Sequence, residues 1–263
     1  MRLNIPRGFN PLRLQHKGLK LLGKFRLFLL KYSAFFSDTN TLFAPSFLKS
    51  GAKIDFNSIF FNEIQPTTRR MNFLAHLFLS CENEDRMVGN FLADFLTNRE
   101  VENYSEEIQK GIFLHRKIDS YTDNHPLVRQ GTKRLHPRHH KYAAVIIDIF
   151  YDFLLANNWE KYSEQTLPEF TQSVYQNLEQ KRDLMPSPLK KQLPRMIAKD
   201  WLAAYGTEEG LRFTFSRMKA RTSRPQYFEN AFESLIADYS FFDEEFQFFF
   251  PEVMKFVAQE CLC

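Results

Sequence analysis

The stretch that decides the fold is AAVIIDIFYDFLL, residues 143–155. It is apolar around the whole circumference of a helix except at Asp148 and Asp152, and helices of this kind are buried. We therefore expect a central helix with other helices packed around it. The two carboxylates are four residues apart and share one helix face. Because an unpartnered buried carboxylate is costly, such groups pair, take up a proton or bind a metal ion.

Helical patterns continue on both sides of this stretch, with turn signals where helices begin and end. No alternating run of strand length competes with them. The chain from Met71 onward is therefore predicted to be one all-α, compact domain over residues 71–263. The approximate predicted helices are 72–80, 85–98, 105–121, 126–135, 139–157, 167–181, 187–204, 208–221, 225–239 and 241–260.

Residues 1–70 differ from the rest in composition. They hold 12 basic and 3 acidic residues, against 23 and 28 in residues 71–263, so the basic balance does not indicate nucleic acid binding by the main body. We expect a poorly structured extension, or translation from an upstream start with the working protein beginning at Met71. The alternative is a basic arm that touches a membrane or directs targeting. No transmembrane segment and no secretory signal is expected, because charged residues interrupt the apolar runs.

Glycine and cysteine usage excludes several classes of protein. None of the 9 glycines stands in a P-loop or dinucleotide-binding arrangement. The 3 cysteines are odd in number and never have C-x-x-C spacing, so neither a disulfide framework nor a zinc ribbon is expected. This usage favours a reducing compartment and a cytoplasmic location.

Ionisable residues also interrupt other apolar runs. His76 lies within FLAHLFL at 73–79, and Asp94 lies within FLADFL at 91–96. A further segment places His115 and Asp119 one helical turn apart, with Asp123 another turn on. Histidine and aspartate together suit Mn²⁺, Mg²⁺ or Fe²⁺ better than a structural zinc ion, so these helices predict a metal–carboxylate cluster.

Each residue has a structural alternative. A single histidine on an apolar helix is often a hydrogen-bonded core residue. Asp119 could pair with Arg116, and Asp123, which is followed by Asn-His-Pro, could cap the next helix. The pair formed by Asp148 and Asp152 is harder to explain in this way, because its flanks are so apolar.

Four ordered motifs resemble the acyl carrier protein phosphodiesterase family, also called ACP hydrolases. They are MNFLAHL at 71–77, GNFLADF at 89–95, GI at 111–112 followed by HRKID at 115–119 and TD at 122–123, and DIFYD at 148–152. The likeness covers essentially residues 71–263. It also agrees with a start at Met71, where chains of that family typically begin.

The resemblance implies an all-helical, divergent member of the HD phosphohydrolase group that uses a divalent metal ion, usually manganese. The implied reaction is hydrolysis of the bond between 4′-phosphopantetheine and a serine of holo-acyl carrier protein. It also implies roles for individual positions, with Asp152 or Asp123 as an outer-shell residue or general base. The implied metal ligands are His76, Asp94, His115, Asp119 and Asp148.

The chain departs from the family at one position. Family members commonly have histidine after the second aspartate of DIFYD, where this chain has Phe153. If that histidine binds metal or donates a proton, this protein is expected to be slow, differently selective or inactive; if it only supports a ligand, the loss is smaller.

An acidic carrier protein as substrate implies a locally basic docking surface. Two groups of basic residues qualify, although either could be an ordinary solvated helix face. The alternatives to the carrier phosphodiesterase are a metal phosphohydrolase for another phosphodiester or a nucleotide, and a decayed helical protein that only binds acidic partners. The first basic group is Arg129, Lys133, Arg134, Arg138 and Lys141; the second is Arg217, Lys219, Arg221 and Arg224.

Overall fold

The helix predicted from AAVIIDIFYDFLL is the central helix among the described residues. A computed structural model describes residues 73–81 and 83–261. The central helix spans Ala143–Asn157, and it is buried almost continuously from Ile146 to Leu155. The extension predicted for residues 1–70 lies outside the described residues, so it stays a prediction.

The other described elements are helices as well, and no strand occurs among the described residues, so the all-α prediction is confirmed. In chain order the α-helices are α1 (Phe73–Phe78), α2 (Glu84–Leu92), α3 (Asn98–Val101), α4 (Glu106–Asn124), α5 (Pro126–His139), α6 (Ala143–Asn157), α7 (Leu167–Gln180), α8 (Ser187–Ala198), α9 (Trp201–Ala204), α10 (Glu208–Arg221), α11 (Ala231–Ala237) and α12 (Tyr239–Cys261). Short 3₁₀ turns cover Ala93–Phe95, His140–Tyr142, Trp159–Lys161, Arg182–Leu184 and Pro225–Phe228. Helix α6 packs against α1, α5, α10 and α12.

Two predicted helices are each divided by a residue with left-handed backbone. The prediction of a single helix over 187–204 is wrong, because Asp200 has φ of 40° and separates α8 from α9. The helix predicted over 225–239 is divided in the same way at Asn230, with φ of 56°. Asparagine and aspartate tolerate this conformation better than most other residues.

The predicted helix 85–98 also ends early. Helix α2 stops at Leu92, and α3 begins after Thr97. The Glu100 carboxylate accepts hydrogen bonds from the Thr97 backbone N–H and hydroxyl, each at 2.7 Å. This capping box starts a new helix at the end of the predicted span.

Helices α2 and α4 approach each other closely at two glycines. A Cβ atom on Gly89 would lie 2.0 Å from the Ile108 carbonyl oxygen. A Cβ atom on Gly111 would lie 2.1 Å from the Arg86 carbonyl oxygen. Only glycine at both positions allows this spacing, and the contact brings the end of α2 against the middle of α4.

The structure corrects two expectations about single residues. Cys81 and Cys261 form a disulfide with Cα atoms 6.4 Å apart, so the argument against disulfides is wrong for this pair. The sequence predicts that His136, His139 and His140 are exposed loop residues, but His139 is fully buried in α5, and its ring contacts the Tyr227 carbonyl oxygen and the Ser234 hydroxyl. Within the described range, no helix combines the length and apolar character that crossing a membrane requires.

Candidate metal centre

Two helices bring two histidines and an aspartate into one group. His76 comes from α1, and His115 and Asp119 come from α4. One donor atom from each of the three lies within 4.8 Å of the other two. The His76 Nε2 atom is 3.3 Å from Asp119 Oδ1, and His115 Nε2 is 3.6 Å from Asp119 Oδ2. The predicted pairing of His115 and Asp119 on one face of a helix is therefore confirmed.

Asp94, from the 3₁₀ turn after α2, adds a second carboxylate. Its Oδ1 atom lies 3.6 Å from His115 Nε2. That nitrogen is buried, and it makes no hydrogen bond to any described residue, since 3.6 Å exceeds hydrogen-bond distance. A buried nitrogen facing two carboxylates without bonding either is the arrangement expected of a group that holds a cation.

The two imidazoles are electrostatically different. Burial lowers the pKa of His76, and the neighbouring His115 lowers it further, although Asp119 acts in the opposite direction. Burial also acts to lower the pKa of His115, but Asp94 and Asp119 outweigh it, so that the pKa is raised. The rings stack with their centroids 3.9 Å apart. Their close contact disfavours charge on both rings at once.

Asp148 lies beside the group. It is buried on α6 and lines a small cavity together with His76, Asp119 and Tyr151. The Tyr151 hydroxyl donates a hydrogen bond to Glu245 on α12 at 2.7 Å. The structure thus places this predicted ligand on the wall of a cavity that His76 and Asp119 also line.

Asp152 has a different position from Asp148, although both lie on α6. It is fully buried, and its two carboxylate oxygens accept the backbone N–H groups of Leu74 and Ala75 at 3.1 and 2.8 Å. Burial raises its pKa to about 8, despite these N–H donors. The carboxyl group caps the first turn of α1 and so helps to position the helix that carries His76.

The structure does not bring Asp123 into the group. Asp123 is exposed near the end of α4, and the N-cap of α5 is His125, so the alternative that Asp123 caps the next helix is wrong. Phe153 is also outside it: the side chain is 4% exposed, packs in the hydrophobic core and does not line the cavity beside His76. The aromatic substitution therefore leaves the His76, His115 and Asp119 donor set intact.

The first basic group follows α5 and the turn after it. Arg129 and Lys133 are exposed, and Arg134 pairs with Asp238 and lies 4.8 Å from the centre of the Phe241 ring. These residues form an outer helix face.

The second basic group is more enclosed. The Arg217 guanidinium lies 4.1 Å from the centre of the Trp201 ring, and its pKa is lowered to about 10, first by burial and then by Arg221 and Arg195. Burial also lowers the pKa of Arg221, whereas Arg224 is exposed. The buried Tyr205 interacts electrostatically with Arg217 as well as with Asp152 and Asp94. The electrostatic interactions of Tyr205 thus involve both this cluster and Asp94.

Sequence reasoning missed two buried polar residues. Asn90 stands inside the motif GNFLADF, but an asparagine carries no charge, so a search for ionisable residues in apolar runs does not select it. Its side chain lies between the two histidines. Glu245 stands in the aromatic run FFDEEFQFFF and is 5% exposed, so the criterion that singled out Asp148 would also have found it.

The fold and the site define an all-helical protein whose candidate metal centre combines histidine and aspartate from neighbouring helices. Residues 71–253 match the family model described as acyl carrier protein phosphodiesterase, and the chain belongs to this family. The resemblance seen in the four motifs is thereby confirmed.

Individual relatives carry the same name. The chain is 28% identical over 185 residues to the acyl carrier protein phosphodiesterase of Enterobacter sp. (strain 638), and this match covers 70% of this chain and 96% of the relative. It is 30% identical over 201 residues to that of Escherichia coli O45:K1, and this match covers 73% of this chain and 100% of the relative. No solved structure matches the chain, so its assignment to the HD group stays a prediction.

Proposed function

We propose that this protein is a metal-dependent phosphodiesterase of the cytoplasm that removes 4′-phosphopantetheine from holo-acyl carrier protein. Family membership supports the substrate. The observation that carries the proposal is the cluster of His76, His115 and Asp119 within 4.8 Å, with Asp94 beside it.

The four side chains would hold a divalent ion through two nitrogen and two oxygen donors. Mn²⁺ is the ion we propose, and Mg²⁺ and Fe²⁺ are the alternatives that accept the same donors. When bound, such an ion neutralises phosphate charge and lowers the pKa of water. Asp148 on the cavity wall is the further candidate ligand.

The group has a buried side and an open side. The histidine side chains are 4% and 6% exposed, whereas those of Asp94 and Asp119 are 13% and 27% exposed. We therefore place the substrate phosphate at the carboxylate side. In the reaction, the oxygen of water bonds to phosphorus, the bond from phosphorus to the serine oxygen breaks, and a proton moves to that oxygen.

The second basic group is the face that we propose for carrier docking. Arg217 and Arg221 lie on α10, and Tyr205 connects this region electrostatically to Asp94. A carrier protein must bring its modified serine to the metal centre, so its acidic surface has to lie close by. The first basic group, with Arg129, Lys133 and Arg134, is the alternative docking face.

Incubation of the protein with holo-acyl carrier protein and Mn²⁺, followed by intact-mass measurement of the carrier, tests the function. We expect the carrier to lose the mass of phosphopantetheine, and a chelator to prevent the loss. His115→Ala should slow turnover by more than about 100-fold, because loss of an outer-shell partner alone costs about 10- to 100-fold. The exposed His136 provides the control His136→Ala, which should keep full activity.

The outcomes separate the alternatives. Turnover of small phosphodiesters or nucleotides without any change in the carrier would indicate a different phosphohydrolase. Carrier binding without a product would indicate a decayed site. In the same assay, Arg221→Glu with Arg224→Glu should raise KM while kcat is retained, and Arg129→Glu with Lys133→Glu should not.

A further inference from the structure

One asparagine contacts both histidines of the candidate metal centre. Asn90 lies in the last turn of α2 and is 1% exposed. Its Oδ1 atom is 3.1 Å from His76 Nδ1 and 2.9 Å from His115 Nδ1. A single amide oxygen thus forms hydrogen bonds with two imidazoles that come from different helices.

The orientation of the Asn90 amide is determined by its other contacts. The Nδ2 atom lies 2.7 Å from the backbone carbonyl oxygen of His76, which can only accept a hydrogen bond. It also donates to Ser80 Oγ at 3.1 Å, and that hydroxyl donates in turn to the same carbonyl at 2.8 Å. The amide nitrogen therefore faces the carbonyl, and Oδ1 faces the rings.

This orientation determines which ring nitrogen carries hydrogen. An amide oxygen only accepts, so Nδ1 must be the donor in both His76 and His115. In the neutral form of each ring, Nε2 then carries the lone pair. The Nε2 atoms are the ones that face Asp119 and Asp94. Both histidines are thus ready to bind a cation without a change of tautomer or ring orientation.

We propose that Asn90 is a positioning residue that fixes the tautomer and orientation of both histidines for cation binding. The inference rests on the proposed function, since it concerns the same metal centre. Ligand histidines generally need a partner on the second ring nitrogen, and loss of that partner weakens metal binding by about 10- to 100-fold. Here one side chain supplies that partner for two ligands, so its loss affects both at once.

The first test measures tautomers in the full, metal-free chain. Nitrogen-15 NMR of the imidazoles, at a pH where His76 and His115 are neutral, should show hydrogen on Nδ1 in both rings. Asn90→Leu, which keeps the size but removes both hydrogen-bonding groups, should give hydrogen on Nε2 or a mixture. Hydrogen on Nε2 of either ring in the unaltered protein would overturn the proposal without any variant.

The second test measures Mn²⁺ affinity by titration without carrier protein. Asn90→Leu should bind Mn²⁺ about 10- to 100-fold more weakly. Asn90→Asp keeps the acceptor and should retain the Nδ1–H tautomers and lose less affinity. The matched control is Asn177→Leu, which removes another buried asparagine bonded to a backbone carbonyl, that of Glu84. It should leave Mn²⁺ affinity and both tautomers unchanged.

The two readouts do not depend on the identity of the substrate. Normal tautomers and Mn²⁺ affinity with no action on holo-acyl carrier protein would contradict the proposed function and leave the role of Asn90 standing. Unchanged tautomers and affinity in a folded Asn90→Leu protein would contradict the role of Asn90, whatever the substrate. If Asn90→Leu does not fold, Asn90→Asp and the unaltered protein still decide the question.

Discussion

At the scale of single residues, Glu245 is a buried acid outside the candidate metal centre. Its side chain accepts a hydrogen bond from the Tyr151 hydroxyl at 2.7 Å and packs against Gly131 of α5. Burial raises its pKa from 4.5 to about 7, although the Tyr151 hydroxyl and the Gly131 N–H act to lower it. The folded protein therefore binds this proton more tightly than the unfolded chain does.

This difference makes stability depend on pH. Because the folded pKa is the higher one, the contribution of protonated Glu245 is complete below pH 4.5 and is lost as pH rises through about 7. The loss can reach about 3 kcal/mol. Glu245→Gln, which stays neutral, should therefore gain stability relative to the unaltered protein between pH 5 and pH 8, as urea unfolding at the two pH values would show.

The neighbouring Glu244 is exposed and supplies the matched control. Glu244→Gln should keep the pH dependence of the unaltered protein. A Glu245→Gln protein with that same dependence would show that the buried carboxyl does not titrate over this range.

Much of the candidate site could be predicted from ionisable residues in apolar runs. That criterion found His76, Asp94, His115 and Asp119 because a charge there needs a partner. It could not separate Asp148, on the cavity wall, from Asp152, which closes α1. Both lie on the same buried helix, and only tertiary packing distinguishes their surroundings. Asn90 was missed because no charge marks it.

At the scale of elements, the contact between α2 and α4 positions part of the candidate metal centre. Asn90 directly follows Gly89, and His115 lies one turn after Gly111. The two glycines allow the helices to approach until Asn90 reaches His115 at 2.9 Å. The packing of these helices and the contact between Asn90 and His115 thus depend on the same two glycines.

Gly111→Ala tests this dependence. Alanine favours a helix by about 1 kcal/mol over glycine, but its Cβ atom would lie 2.1 Å from the Arg86 carbonyl oxygen. Because that neighbour is backbone, the helices must move apart, and we expect a net loss of about 1–3 kcal/mol. Mn²⁺ affinity should fall as well, as a titration alongside thermal unfolding would show.

Gly206→Ala is the corresponding control. There a Cβ atom would meet its nearest neighbour, the Ala156 methyl group, at 3.1 Å. Small adjustments can absorb that contact, so stability should change little and Mn²⁺ affinity not at all. Equal Mn²⁺ affinity in Gly111→Ala and Gly206→Ala would show that cation binding does not depend on the close contact at Gly111.

The success of helix prediction depended on what ends each helix. The predicted helix 208–221 agrees with α10 at both ends, because Thr207 caps its start and its pattern stops before Thr222. The break at Asp200 was missed because part of its environment is not local: besides the Ala203 N–H, its carboxylate accepts a hydrogen bond from the hydroxyl of Tyr175 on α7. Aspartate is a common N-cap residue, but the local pattern does not show where a left-handed residue divides one helix into two.

At the scale of the whole molecule, the Cys81–Cys261 disulfide joins the turn after α1 to the end of α12 across 180 residues. Spacing along the chain carries no information about such a distant pair, so this disulfide could not be predicted from the sequence. Cys81 follows Ser80, which bonds to Asn90 and to the His76 carbonyl oxygen. The bond therefore lies next to the polar network of the candidate metal centre.

Closing a loop of this length restricts the unfolded chain and stabilises proteins by about 2–5 kcal/mol. Reduction, or Cys81→Ser, should therefore lower Tm by about 5–15 °C in a domain of this size. Alkylation under non-reducing denaturing conditions should modify one of the 3 cysteines in the oxidised protein and all of them after reduction. Cys263→Ser is the control, since it leaves the bonded pair in place. If all 3 cysteines react without reductant and reductant does not change Tm, the cysteines are free thiols and the disulfide is absent, as expected in a reducing compartment.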